Sequence, residues 1–126
     1  MDRLIDTSVW VDYFSPRGQR NHPVLDALEG WIRDDEVVTV LPVLAEIQSG
    51  KVRTSLARLL PYLRRVDPDW NQPEVWKQIA GFAHPHPGVG LVDRMILFSS
   101  LEARCQLVTF DQRLARAAHS LGVGKP

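Results

Sequence analysis

Four acidic residues, Asp6, Glu46, Asp93 and Asp111, stand where solvation alone does not explain a carboxylate. Asp6 directly follows the apolar pair Leu4-Ile5, and Asp111 directly follows Leu107-Val108-Thr109-Phe110. Glu46 lies inside Leu44-Ala45-Glu46-Ile47, and Asp93 opens the run containing Met95, Ile96, Leu97 and Phe98. An ionised carboxylate in apolar surroundings is costly unless it is paired, protonated or bound to a cation. Four acids without matching bases point to the cation. Oxygen ligands select hard ions, so the expected cofactor is Mg2+ or Mn2+. Mg2+ takes few carboxylates and leaves room for phosphate oxygens, which suits hydrolysis of a phosphodiester bond. Thr7, Ser8 and Thr109 adjoin these acids, and their hydroxyls are expected to orient the carboxylates or the waters around them.

Each acid also has a plainer reading. Asp6 and Asp111 could each cap the helix that follows. Asp93, near a helix start, would favour the helix dipole. Glu46 could form a buried pair with Arg53 or Arg94. The cation reading rests on their joint occurrence.

Positioning such residues takes a framework of strands feeding helices. Leu4-Ile5 reads as a short strand, and Val9, Trp10, Tyr13 and Phe14 then recur at helical spacing. After the Pro16-Arg17-Gly18 loop, Val24, Leu25, Leu28, Trp31 and Ile32 form one apolar stripe of a second helix. Residues 36–40 are rich in β-branched side chains and read as a buried strand, followed by a helix with Pro42 in its first turn and Gly50 at its stop. Leu56, Leu59, Leu60 and Leu63 fall on one face of the next expected helix, and residues 64–68 could hold a short edge strand. Pro73 opens a helix whose Val75, Trp76, Ile79 and Phe82 share one side, and His84-Pro85-His86-Pro87-Gly88 breaks the pattern. A helix through Ala103, a strand at residues 106–109 and a last helix over 111–121 complete the reading. Alternating strands and helices imply an α/β fold with a parallel sheet covered on both faces. In such sheets, ligands gather beyond the carboxyl ends of the strands, where Asp6 and Asp111 fall.

With 126 residues and no repeat or linker, one domain over 1–126 is expected. Fifteen basic and fifteen acidic residues cancel, so no global field holds a polyanion, and any nucleic-acid binding must come from local patches or a metal. The lone Cys105 excludes an internal disulfide framework and a cysteine-based zinc cluster. The charged opening Met1-Asp2-Arg3 is unlike a secretory signal, and no apolar run approaches the roughly 20 residues that cross a bilayer. The expected location is the cytoplasm, with no membrane partner.

In these segments the chain resembles PIN domains, specifically VapC-like toxins of bacterial toxin-antitoxin pairs. Residues 4–14 resemble the family's opening strand and first acid, and Leu41-Pro42-Val43-Leu44-Ala45-Glu46-Ile47 its second-acid helix. Gly90-Leu91-Val92-Asp93-Arg94-Met95-Ile96-Leu97 resembles the third-acid segment, and Leu107-Val108-Thr109-Phe110-Asp111 the closing strand and fourth acid. Four such segments in order form a specific signal. The Phe98-Ser99-Ser100 run departs from the small residues usual there, and no family motif covers His84-Pro85-His86-Pro87. The resemblance implies a three-layer α/β/α fold with a central parallel sheet, and Mg2+- or Mn2+-dependent endoribonuclease activity with Asp6, Glu46, Asp93 and Asp111 as catalytic metal ligands. It further implies a homodimer and inhibition by a VapB-like antitoxin.

Arg17, Arg20, Lys51, Arg53, Arg94, Arg113 and Arg116 are candidate RNA contacts. Arg94 and Arg113 carry most weight, each lying within two residues of an expected ligand. Trp10 or Trp31 could face a groove or a dimer partner, against the plainer expectation of core packing. Three rival readings remain: a zinc hydrolase using His84, His86 and Asp93, a PIN nuclease of RNA processing outside toxin-antitoxin systems, and a catalytically silent RNA-binding module.

Overall fold

The computed structural model describes residues 1–15, 22–51 and 55–124. Four short strands, β1 (Arg3–Ile5), β2 (Val37–Thr39), β3 (Arg64–Arg65) and β4 (Gln106–Val108), form an all-parallel sheet in the order β3-β2-β1-β4. Among the described residues, six α-helices flank it: α1 (Thr7–Phe14), α2 (Pro23–Arg33), α3 (Leu41–Glu46), α4 (Pro73–Gly81), α5 (Leu91–Ala103) and α6 (Gln112–Ser120). This is the expected three-layer α/β/α architecture. Strands of three residues suffice because both sheet faces are covered: Leu4, Ile5, Val38 and Thr39 are fully buried.

The order of the strands places the site. From β1 the chain steps outward to β2 and β3, then returns to put β4 on the other side of β1. The reversal leaves a switch point between β1 and β4, the place where open parallel sheets hold ligands beyond their carboxyl ends. Asp6 follows β1 and Asp111 follows β4, so both flank that crevice.

The core joins Leu4, Ile5, Val9 and Trp10 to Leu28 of α2, Ile96 and Leu97 of α5, and Leu114 of α6. Trp10 is 1% exposed and stacks on Phe14, so it is a core residue and not part of a surface groove. The unusual Phe98-Ser99-Ser100 run also packs inside. Phe98 joins Val75 and Ile79 of α4 in a second cluster, while the buried Ser99 and Ser100 hydroxyls donate to the carbonyls of Met95 and Cys105. Their polar groups are therefore satisfied, which removes the cost of burying them.

Two elements differ from expectation. Residues Ser55–Tyr62 form 3-10 turns instead of an α-helix, and Pro61 inside them has no N–H to continue a helical ladder. Trp76 lies on the outer side of α4, 39% exposed, because its indole N–H donates to the Trp70 carbonyl at the rim of the second cluster. Gly50 does mark the end of the helical path after α3, with φ of 96°. Among the described residues, no helix is long and apolar enough to cross a membrane.

Candidate active site

Asp6 and Asp111 hold equivalent positions, each between a strand and the helix it feeds, but their side chains behave differently. Asp111 caps α6: its Oδ1 accepts from the backbone N–H groups of Arg113 at 2.9 Å and Leu114 at 3.3 Å. Asp6 is the N-cap residue of α1, yet its side chain makes no capping bond. Its carboxylate turns across the crevice instead. Oδ2 accepts from the Ser8 hydroxyl at 2.7 Å and from the Thr109 hydroxyl at 2.8 Å, with the residue only 3% exposed.

Both hydroxyls are themselves held. Ser8 Oγ accepts from the Phe110 N–H and Thr109 Oγ1 from the Asp111 N–H, each at 3.0 Å. A carboxylate only accepts and a hydroxyl has one proton, so each hydroxyl relays a backbone donor into Asp6. The 3.3 Å separation of the two hydroxyls then has no proton left to share. The result ties the start of α1 to the β4–α6 connection and fixes Asp6 as a hydrogen-bond acceptor in a nearly dry place.

Thr7, between Asp6 and Ser8, reaches the other way and donates to Glu46 Oε1 at 2.7 Å. Glu46 is half-buried at the last residue of α3, where the chain runs on into the helical turn Ile47–Lys51. Three consecutive residues thus connect α1 to both α3 and the β4–α6 connection. Asp93 lies in the first turn of α5, half-buried, on a helix that packs against α3 and α6.

The donor set suits a hard cation chemically. Among the described residues, Asp6, Glu46 and Asp111 take part in no ion pair with an arginine or lysine, and each keeps one carboxylate oxygen without a hydrogen bond. No three His, Cys, Asp or Glu residues among those described stand close enough to hold one ion, which applies equally to the His84, His86 and Asp93 reading. Mutual repulsion of bare carboxylates opposes such close approach when no cation offsets it.

Residues 3–120 match the PIN domain family. The chain belongs to this family. PIN domains are generally metal-dependent nucleases that use Mg2+ or Mn2+, so this PIN domain has a nuclease-type fold. No curated protein matches it.

The arginines of this PIN domain divide clearly. Arg17, Arg20 and Arg53, and the side chain of Lys51, lie outside the described residues, so a Glu46 pair with Arg53 does too. Arg94 is half-buried, and its Nε is buried without a hydrogen-bond partner. Arg113 is exposed and lies across Gly88, where an added Cβ would meet its Cδ and Nη1 at 3.2 Å. Gly88 has φ of 89°, a conformation glycine adopts without strain. The sequence marked Gly88 only as part of a loop breaker. Its role as a seat for Arg113 beside the segment leading to Asp93 left no signal in the pattern. His84 is exposed, and His86 packs against Phe82.

Proposed function

We propose that this PIN domain is a Mg2+- or Mn2+-dependent endoribonuclease and the toxin of a VapC-like toxin-antitoxin pair. The observation that carries the reading is Asp6: a helix-cap aspartate that leaves its helix uncapped, is held by two hydroxyls, and is offset by no cationic side chain among the described residues. Such an arrangement keeps a carboxylate ready for a hard cation. Asp6, Glu46, Asp93 and Asp111 would hold the ion or ions, with Thr7, Ser8 and Thr109 orienting Asp6 and Glu46. A bound divalent ion supplies an activated water and charge neutralisation at the scissile phosphate. Arg113 and Arg94, beside the expected ligands, would meet backbone phosphates of the RNA. The reading includes one domain over residues 1–126, a homodimer, a VapB-like antitoxin as partner and a cytoplasmic location.

The purified full chain, freed of inhibitor, should cleave structured RNA with Mg2+ or Mn2+ and stop on addition of EDTA. Asp6→Asn and Asp93→Asn should each remove cleavage while keeping the parental circular dichroism melt. Cleavage at the parental rate by either variant would refute the mechanism. The toxin role is checked by controlled expression, which should arrest growth in the parental form and not as Asp6→Asn.

A further inference from the structure

The connection from α4 to α5 carries Gly88 against the side chain of Arg113, in the first turn of α6. We propose that Gly88 is a positioning residue for Arg113, and that the guanidinium seated there grips a phosphate of the RNA strand through two parallel hydrogen bonds. The proposal deepens the nuclease reading and takes from it the RNA as ligand.

The contact itself shows which donors are left for a ligand. A Cβ built on Gly88 would lie 3.2 Å from Arg113 Cδ, 3.2 Å from Nη1 and 3.4 Å from Cζ. Atoms in ordinary contact settle at about 3.5–4.0 Å, so Arg113 lies where any side chain at position 88 would push it away. Nη1 is the terminal nitrogen on the Cδ side, so Gly88 rests against that side of the group. Nε–H and Nη2–H point the other way, side by side, as the fork that matches two oxygens of a phosphate. Arg113 is exposed, and its guanidinium takes part in none of the ion pairs among the described residues.

Both ends of this side chain are anchored. At its root, the Arg113 N–H donates to Asp111 Oδ1 at 2.9 Å. At its tip, the connection is itself fixed. His86 N–H donates to the Phe82 carbonyl at 3.0 Å, Val89 N–H donates to the His86 carbonyl at 3.2 Å, and Val89 is buried in the core. A side chain held in this way loses less freedom on binding, so its contact is stronger than that of a free surface arginine. Place and charge agree with a substrate contact. Asp111 lies two residues before Arg113 and Asp93 five residues after Gly88, so the guanidinium joins the segments of two expected ligands. Fifteen basic and fifteen acidic residues give the chain no global pull on a polyanion, which leaves strand placement to local groups.

The test measures binding of a fluorescein-labelled ten-nucleotide single-stranded RNA to the full chain by anisotropy, in EDTA to hold cleavage off. Arg113→Ala should weaken binding about tenfold and lower the slope of log affinity against log salt by about 0.7, the share of one phosphate on a single strand. Gly88→Ala should weaken binding about fivefold, and should add nothing once Arg113 is alanine, because the two positions act as one unit. The strain of alanine at positive φ is common to both backgrounds, so its cost in the thermal melt should be equal in the two while its effect on binding is not. If Gly88→Ala fails to fold, Gly88→Asn carries the same Cβ and tolerates positive φ. Arg113→Lys keeps the charge without the fork and should recover only part of the affinity. With Mn2+, Gly88→Ala should raise KM and leave kcat nearly as it was. Unchanged binding by Arg113→Ala, full recovery by Arg113→Lys, or a Gly88→Ala loss that persists without Arg113 overturns the proposal. A ten-residue glutamate peptide whose binding needs Arg113 when RNA binding does not assigns the guanidinium to an acidic partner, and overturns it as well. Cleavage with Mn2+ beside any of these results leaves the nuclease reading standing, whereas the expected binding pattern without cleavage supports the seat and removes that reading.

Discussion

Replacing Asp6 by asparagine and by alanine separates what its charge does from what its hydrogen bonds do. Both hydroxyls donate to one oxygen, Oδ2, and Oδ1 accepts from neither. Asparagine can present its carbonyl oxygen at that place and keep both bonds. The weaker neutral bonds are offset by no longer holding a charge at 3% exposure, so the net change should be within about 1 kcal/mol. Alanine strands both donors. Each bond to a charged group contributes roughly 1.5–3 kcal/mol, and removal of the buried charge returns part of the sum, leaving a loss of about 2–4 kcal/mol. With a urea slope of about 2 kcal/mol per molar, the alanine midpoint should fall by about 1–2 M in EDTA, and the asparagine midpoint should hardly move. Repeating the titration with Mn2+ at about 100 times its dissociation constant should add about 2.7 kcal/mol to the parental protein and nothing to asparagine. An asparagine variant as unstable as alanine, or one equally stabilised by Mn2+, refutes the assignment of Asp6 as an oriented ligand.

Thr7→Val keeps the buried shape but removes the donor to Glu46, so calorimetry should show a loss of about 1–2 kcal/mol, and Mn2+ affinity should fall. The Arg64 guanidinium hydrogen-bonded to Asp2 holds that carboxyl below its usual 3.8, so the contribution of the pair is present above that pH and is lost as pH falls through the lowered value. Both side chains are substantially exposed, so Asp2→Asn should lower the urea midpoint only slightly at pH 7 and not at all well below pH 3.8, and a persistent difference in acid would exclude the linkage. Burial pushes the Cys105 thiol up, so iodoacetamide at about pH 8 should label it only as the protein unfolds, which mass spectrometry across a urea series will read.

The strand and helix framework was largely legible because local patterns specify it. A β-branched run, Pro42 and Pro73 in first turns, and the apolar stripe on α2 each act within a few residues. The misread segments are those where a local rule met a competing one. Leu56, Leu59, Leu60 and Leu63 carry helical spacing, but Pro61 interrupts the ladder that spacing would need. Trp76 shares the apolar face of α4 by periodicity, yet its polar N–H draws it to the rim, where the Trp70 carbonyl accepts it.

For the candidate site, the sequence singled out Asp6 and Asp111 alike and carried nothing to tell them apart. Asp6 and Asp111 both follow a strand and precede a helix, and the capping rule treats them alike. What separates them is the Thr109 hydroxyl, 103 residues from Asp6 along the chain and adjacent only because β1 pairs with β4. Parallel pairing brings the strand ends together, and the side chains just beyond them then decide which carboxylate serves its helix and which is turned into the crevice. A cap aspartate met by the hydroxyls of Ser8 in α1 and Thr109 just beyond β4 is released from capping because these donors compete for it. That competition is local in space and distant in sequence, so the acid it frees becomes visible only once the strand order is known.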